Sequence, residues 1–178
     1  ILVSLIIAAT PLLFAALGEL VVEKSGVLNL GVEGMMIVGA IGGFATALET
    51  QSLVLAILAG AAAGAALAAV FAIMTQYLLS NQVATGLALT MFGLGIASLL
   101  GQTYAGKTLD VAAKLDIAGL SDLPIVGPLL FGHDPMIYLS ILATVGVWWF
   151  LTRTRSGLNL RAVGENHDAA HSIGYNVR

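Results

Sequence analysis

The chain has 178 residues, of which 58% are hydrophobic and only 10% are charged, and its mean hydropathy is +0.97. Soluble domains carry closer to a quarter charged residues, so this composition excludes an ordinary soluble globular protein. The sequence contains no cysteine, which excludes disulfides and thiolate metal sites. The net charge of −3 constrains little, because it adds up residues from both sides of a membrane.

Five apolar runs predict an all-α, polytopic transmembrane helix bundle. One crossing needs about 20 apolar residues, and no charged residue occurs between Glu49 and Lys107. A mixed polar segment (Gly18 to Gly34) follows the first run, and a polar loop with Gly and Pro (residues 105–135) precedes the last. The chain begins at Ile1 rather than at a methionine, and we interpret it as part of a longer protein. The predicted spans, which make residues 1–152 the transmembrane domain, lie near residues 1–17, 31–48, 53–79, 83–104 and 136–152.

The basic residues predict the orientation of the chain. Arg153, Arg155 and Arg161 all follow the fifth span, whereas residues 105–135 carry four Asp against two Lys. The positive-inside rule therefore places residues 153–178 in the cytoplasm and the preceding loop outside. Residues 18–34 then begin on the inner side, and the sequence leaves open whether they leave the membrane or dip into it.

One motif fits a nucleotide-binding pattern. Residues 101–108, GQTYAGKT, match the P-loop expression, in which backbone N–H groups surround phosphates between a strand and a helix. Here an apolar span precedes the motif and an acidic loop follows it. This context favours an ordinary helix end, with Lys107 as an interfacial residue whose stem lies in apolar surroundings.

A histidine pair offers a second chemical alternative. His167 and His171 are spaced i, i+4 on a predicted helix, and this spacing can hold zinc. No third ligand lies in register, which favours two solvated histidines and no metal site. No nucleophile–base pair occurs elsewhere, so we expect no catalytic residue and no enzyme activity in this chain.

The segment around Glu33 supports two interpretations. Glu33 lies between Gly31 and Gly34, and Asn29 lies four residues earlier. Charges at membrane depth usually mark pathways or ion pairs, and glycines permit the broken helices that line transport cavities. Asn29 and Glu33 are therefore candidate translocation-pathway residues. The alternative is a plain interfacial turn with Glu33 in water.

A pattern of small residues marks the third span. Gly60 and Gly64, with Ala56 one turn earlier, let another helix backbone approach closely. Close packing within one subunit is the favoured interpretation, because this pattern is common in helix bundles. A dimer interface is the alternative.

Residues 161–177, RAVGENHDAAHSIGYNV, predict a short capped helix. Asn166 is a good N-cap, and Asp168 in the first turn favours the helix dipole. His171 lies in the last turn, and Gly174 suits the position after the helix end. A helix of about two turns is unstable alone, so it must pack on its own membrane domain or dock into another protein. Its apolar stripe comprises Ala169, Ala170, Ile173 and, one turn on, Val177.

Three blocks of sequence, in order, resemble one family of transport proteins. They are residues 10–36 (TPLLFAALGELVVEKSGVLNLGVEGMM), residues 81–101 (NQVATGLALTMFGLGIASLLG) and residues 161–177. The blocks are similar to the permease subunits of bacterial ABC importers for simple sugars such as ribose, nucleosides and, more distantly, branched-chain amino acids. The resemblance implies a multi-pass subunit of the bacterial inner membrane that moves a nucleoside or simple sugar by alternating access.

The resemblance also implies a role for the terminal helix. In such permeases a short cytoplasmic coupling helix sits in a cleft of the ATPase subunit and passes its closure to the helix bundle. The implied partners are ABC ATPase subunits, a second permease subunit in a homodimer or heterodimer, an extracytoplasmic solute-binding protein and the lipid bilayer, with no nucleic acid. The permease itself would hold no cofactor, because the partner binds the ATP, and the family's C-terminal spans would be missing. The matching positions are Gly164, Glu165, Asn166, Ala169, Ala170 and Gly174.

Two other functions remain open at this point. An ion-coupled secondary carrier or channel would use Glu33 as an intramembrane charge. A membrane scaffold would transport nothing. Uptake that depends on a co-expressed ATPase distinguishes the importer from the carrier, and a scaffold would give no solute flux.

Overall fold

The computed structural model describes residues 2–109, 134–172 and 174, and its regular elements in these residues are all helical. The predicted all-α fold is therefore confirmed. A π-helical turn (Ile73–Tyr77) continues α3, and a 3₁₀ turn (Gln102–Tyr104) continues α4. The helices in chain order are α1 (Leu2–Lys24), α2 (Val32–Thr50), α3 (Leu53–Ala72), α4 (Gln82–Gly101), α5 (Pro135–Arg153), α6 (Arg155–Glu165) and α7 (His167–Ser172).

Five of the described helices, α1 to α5, are long and apolar enough to cross a membrane. This number agrees with the five predicted spans. The first helix differs in length, because it runs to Lys24 rather than ending near residue 17. Leu20, Val21 and Val22 keep the chain apolar beyond Gly18, and the helix stops only shortly before Gly26. Most of the predicted external loop, residues 110–133, lies outside the described residues.

One compact unit contains α1, α5 and α6, and α1 packs along both other helices. At the start of α5, the Asp134 carboxylate accepts a hydrogen bond from the Met136 N–H at 2.9 Å. Pro135 occupies the first helical position, where its missing N–H costs nothing. These two features fix the start of α5 at the position that the sequence predicts.

A second compact unit contains α2, α3, α4 and α7, and α2 packs against both α3 and α4. Backbones approach closely on the α3 side, where a Cβ atom added to Gly60 would lie 2.9 Å from the Gly39 carbonyl oxygen. A Cβ atom at Gly64 would lie 3.4 Å from the Met35 carbonyl oxygen. The small-residue pattern of the third span therefore serves helix packing within this chain, as the favoured interpretation predicts.

The connection between α3 and α4 departs from regular helix. In the π-helical turn, the buried Thr75 hydroxyl donates to the Phe71 carbonyl at 2.9 Å. Leu79 then adopts a left-handed conformation with φ of 52°. Asn81 begins α4, because its side-chain oxygen accepts from the Ala84 N–H at 3.0 Å. The nonhelical residues are 78–81, close to the gap between the predicted spans 53–79 and 83–104, whereas the π-helical turn was not predicted.

Candidate functional site

Between α1 and α2, residues 26–31 form a nonhelical segment that lies along the start of α4. The Leu28 N–H donates to the Gln82 side-chain oxygen at 2.8 Å, and the Thr90 hydroxyl donates to the Leu30 carbonyl at 3.0 Å. Nonhelical backbone has no internal ladder of hydrogen bonds, so polar side chains must satisfy it where water is absent. Two side chains of α4 supply such bonds here.

The depth of this segment follows from its two anchors. Gln82 and Thr90 are eight residues apart on α4, which corresponds to about 12 Å along the helix axis. The candidate membrane span that contains them runs from Gln82 to Tyr104. The nonhelical segment therefore lies beside a spanning helix instead of beyond its end. For the nonhelical residues 26–31 this arrangement favours the interpretation in which the segment dips into the membrane, whereas residues 18–24 belong to α1.

Asn29 is buried within the nonhelical segment, with 6% of its surface exposed. Its side-chain oxygen accepts from the Gly31 N–H at 2.9 Å, and its amide nitrogen lies 3.5 Å from the Met35 sulfur. The first bond is a local turn typical of Asn. Asn29 thus fixes the backbone that leads into α2.

Glu33 occupies a different environment from Asn29. It is exposed and lies in the first turn of α2, where a carboxylate interacts favourably with the helix dipole. The two candidate pathway residues are therefore neighbours at the start of α2, one buried and one exposed.

Glycines allow the backbone at the start of α2 to pack directly against the backbone of α4. A Cβ atom at Gly34 would lie 2.6 Å from the Leu89 carbonyl oxygen, and one at Gly93 would lie 2.7 Å from the Gly34 carbonyl oxygen. A Cβ atom at Gly86 would lie 2.9 Å from the Gly31 nitrogen. Real Cβ atoms essentially never approach backbone this closely, so only glycine fits these positions. The nonhelical segment and α2 are consequently held at one fixed spacing from α4.

The six predicted coupling positions are distributed over two helices. Gly164 and Glu165 are the last two residues of α6, and the helix is interrupted at Asn166. Ala169 and Ala170 lie in α7, where Ala169 is exposed and Ala170 has 4% of its surface exposed. The remaining position, Gly174, follows α7.

The caps of α7 are those that the sequence predicts. The Asn166 side-chain oxygen accepts from the Ala169 N–H at 2.9 Å, and the Asn166 carbonyl accepts from the Ala170 N–H at 3.0 Å. Gly174 has a φ of 90°, and its N–H donates to the His171 carbonyl at 3.0 Å. That backbone conformation is left-handed and strongly favours glycine at a helix end. The segment therefore forms a short helix with a defined start and a defined end.

His167 and His171 lie one turn apart on α7, and both are exposed. Across residues 2–109, 134–172 and 174, no group of three His, Cys, Asp or Glu side chains is placed to hold a metal ion. Within this part of the chain the pair has no third ligand. Both histidines lie on the exposed surface of a short helix.

The P-loop match has a different structural context from a nucleotide site. Residues 101–108 comprise the end of α4, the 3₁₀ turn and a short turn after it, so a helix and not a strand precedes the motif. The Lys107 N–H donates to the Tyr104 carbonyl at 3.1 Å, and the Lys107 ammonium lies 5.1 Å from the centre of the Tyr104 ring. Tyr104 also donates a hydrogen bond to Glu49 at 3.1 Å. Lys107 therefore belongs to a helix-end cluster rather than to a phosphate cradle.

Two features of these regions were not predicted from the sequence. One is α6, because for residues 155–165 the sequence predicts a cytoplasmic location and no helix. Its less exposed residues recur at spacings of three and four in the structure, but they include two glycines and an arginine, so the sequence shows no matching apolar stripe. The other is Gln82, whose bond to Leu28 joins residues 54 positions apart and leaves no local signal. The less exposed face of α6 comprises Gly157, Leu160, Arg161 and Gly164.

Comparison with known families covers the entire chain. Residues 1–178 match the family described as the permease component of branched-chain amino acid transport systems. The chain belongs to this permease family. No solved structure matches it.

Three relatives illustrate the range of the family. A Haloferax volcanii protein, provisionally named as the glucose ABC transporter permease protein TsgC13, is 44% identical over 96% of the chain. The guanosine ABC transporter permease protein NupQ of Bacillus subtilis is 34% identical over 97% of the chain, and the nucleoside ABC transporter permease protein NupC of Lactococcus lactis is 30% identical over 99%. The chain spans 53% of the first relative, 58% of the second and 59% of the third.

Proposed function

We propose that this chain forms part of the membrane-spanning permease of an ATP-driven importer in the bacterial inner membrane. The observation that carries the proposal is the match of all 178 residues to a permease family, together with relatives named as sugar or nucleoside permeases. The substrate would be a nucleoside or a simple sugar. Transport would proceed by alternating access, in which the helix bundle opens first to one side of the membrane and then to the other.

The driving step in this proposal takes place in another subunit. An ABC ATPase would bind and hydrolyse ATP, and this chain would hold no nucleotide or other cofactor. The remaining partners would be a second permease subunit, identical or different, and an extracytoplasmic solute-binding protein. The helical context of residues 101–108 supports the absence of a nucleotide site there.

We assign the contact with the ATPase to the region from Gly164 to Gly174. Its support is a helix of only six residues, α7, that is capped at its start by Asn166 and ends before a left-handed glycine. An isolated helix this short is unstable in water, so a docking cleft would stabilise it. Caps at both ends fix which residues are exposed to a partner, and of the two alanines Ala169 is exposed whereas Ala170 is buried.

A role in the translocation pathway is proposed for the nonhelical segment and for Asn29 within it. Support comes from the depth of the segment beside α4 and from the general occurrence of broken helices where transporters line their cavities. Glu33 would lie at the entrance of the same pathway, because it is exposed at the start of α2. An ion-coupled carrier that depends on Glu33 is disfavoured by membership of a family of ABC permease components.

The coupling role can be tested at Gly174 with a matched control. Gly174→Val forces a β-branched residue into a left-handed conformation, which costs on the order of 1–3 kcal/mol. We expect this variant of the complete permease to lose association with the ATPase and to uncouple ATP hydrolysis from uptake. Gly106 is the control, because it has a φ of 78°, has no atom near its Cβ position and lies outside the proposed contact. Equal loss of association in Gly106→Val and Gly174→Val would contradict the coupling role.

The substrate class can be tested by uptake into proteoliposomes that contain the complete permease, its ATPase and its binding protein. Labelled nucleosides, simple sugars and branched-chain amino acids would be compared under identical conditions. We expect saturable uptake of a nucleoside or of a simple sugar. Uptake confined to branched-chain amino acids would overturn the proposed substrate class while leaving the importer itself in place.

A further inference from the structure

One face of α5 remains exposed along most of its length. Its exposed apolar residues recur at spacings of three and four, so they share one side of the helix. Trp148 and Trp149 end this row, with 55% and 56% of their surfaces exposed. Among the described residues this face carries large apolar side chains that are exposed, on a helix long and apolar enough to cross a membrane. The row consists of Ile141, Leu142, Val145, Trp148 and Trp149.

The same face continues from the tryptophans to a cation. Arg153 lies four residues after Trp149 and is exposed, and its guanidinium carbon is 6.0 Å from the centre of the Trp148 ring. This distance allows a cation–π interaction that holds the guanidinium beside the indole. Along one helix face the order is therefore apolar, aromatic and basic. A membrane leaflet presents the same order of hydrocarbon, interface and phosphate headgroup.

A tight corner follows the first cation and carries a second one two residues later. The Thr154 hydroxyl donates to the Phe150 carbonyl at 2.7 Å and accepts from the Gly157 N–H at 3.0 Å. A Cβ atom at Gly157 would collide with the Phe150 carbonyl, so glycine is required where α6 turns back on α5. The exposed Arg155 is the first residue of α6 and is separated from Arg153 by Thr154 alone. The corner thus fixes the backbone conformation between the two arginines.

The outward side of α6 carries an apolar residue as well as the cation. Leu158 is 58% exposed, whereas Gly157 and Leu160 on either side of it are less exposed. A helix with cations and an exposed leucine, placed directly after a spanning helix, has the character of an interfacial helix. We define the α5–α6 corner as the surface formed by Trp148, Trp149, Arg153, Arg155 and Leu158.

We propose that the α5–α6 corner binds the headgroup of an anionic membrane lipid. The two arginines supply positive charge for its phosphate, and the tryptophans and Leu158 contact the glycerol region and the first part of the acyl chains. Free inorganic phosphate would gain nothing from the exposed apolar residues, which is why the occupant is a lipid. The proposal concerns the membrane environment and does not depend on which solute is transported.

Quenching by brominated lipids tests the proposal, because Trp148 and Trp149 both belong to the corner. The quenching that comes from the corner is the difference between the complete permease and the same protein with Trp148→Phe and Trp149→Phe. The complete purified permease would be titrated with brominated phosphatidylglycerol and, separately, with brominated phosphatidylcholine. We expect the wild type to prefer the anionic lipid. Each neutralised cation near the surface should reduce this preference about 5-fold, so Arg153→Gln with Arg155→Gln should reduce it about 25-fold.

The matched control is Lys107→Gln, which also removes one cation lying on an aromatic ring, that of Tyr104. This variant should retain the wild-type lipid preference. The double change to lysine, Arg153→Lys with Arg155→Lys, should retain most of it because the charge remains. Equal preference in the wild type and the double glutamine variant would overturn the proposal, as would displacement of the brominated lipid by inorganic phosphate.

Discussion

The contact between Gly93 and Gly34 sets the spacing of α2 and α4. In Gly93→Ala the new Cβ atom would lie 2.7 Å from the Gly34 carbonyl oxygen and 2.8 Å from the Gly34 Cα atom. Ordinary contact begins at 3.4 Å, so the two backbones must separate by about 0.7 Å at the nearest point. Both obstructing atoms belong to the backbone, and no side chain can rotate away.

This separation should be costly for the folded state. Helices in a membrane associate mainly through close packing, which a gap along α2 and α4 weakens. Overpacking of a well-fitted contact costs typically about 1–3 kcal/mol. We therefore expect Gly93→Ala to lower the free energy of unfolding of the complete permease in detergent by that amount. Thermal or denaturant unfolding, followed by tryptophan fluorescence, would measure the change.

Gly95→Ala is the control, because Gly95 lies two residues away on the same helix and nothing lies within 4 Å of its Cβ position. Alanine is favoured over glycine in helices by roughly 0.5–1 kcal/mol, so this variant should be neutral or more stable. If Gly93→Ala proved as stable as Gly95→Ala, the close approach of α2 and α4 and its role in stability would be refuted.

Three further predictions concern other parts of the chain. Thr90→Val removes the hydroxyl bound to the nonhelical segment and should lower the free energy of unfolding by about 0.6 kcal/mol. Thr46→Val, which loses a bond within its own helix, should lower it less, and equal effects of the two changes would contradict the anchoring role of Thr90. Asn166→Ala removes the N-cap of α7 and should lower the local stability of this helix by about 0.5–2 kcal/mol. We expect faster hydrogen exchange of the Ala169 amide, and unchanged exchange would argue against the cap. Calorimetry of the isolated permease should detect no ATP binding, and ATP binding that is abolished by Lys107→Ala would instead support a P-loop.

Local signals in the sequence predicted much of this structure. Apolar runs longer than a bilayer crossing predicted the five spans, and the pairing of Asn166 with Gly174 predicted both ends of α7. These features depend on residues close together in the chain, so composition and capping chemistry are enough to predict them. The first span extends seven residues beyond the predicted end near residue 17, because the helix continues into the mixed polar segment that begins at Gly18.

The remaining features depend on residues distant in sequence. The bond from Leu28 to Gln82 and the approach of Gly34 to Gly93 arise only when α2 lies along α4 in one register. A single sequence shows that these glycines could allow close packing but does not pair them. The environment of Asn29 follows from the same register, so its burial was not predicted.

We propose that uptake through the complete permease is driven by ATP. The most direct test reconstitutes the complete permease in proteoliposomes with and without its ATPase subunit and binding protein, and measures accumulation of labelled substrate. We predict accumulation only when the ATPase is present and supplied with ATP, with no accumulation under an imposed proton gradient alone. Accumulation driven by a proton gradient in the absence of the ATPase would contradict the account.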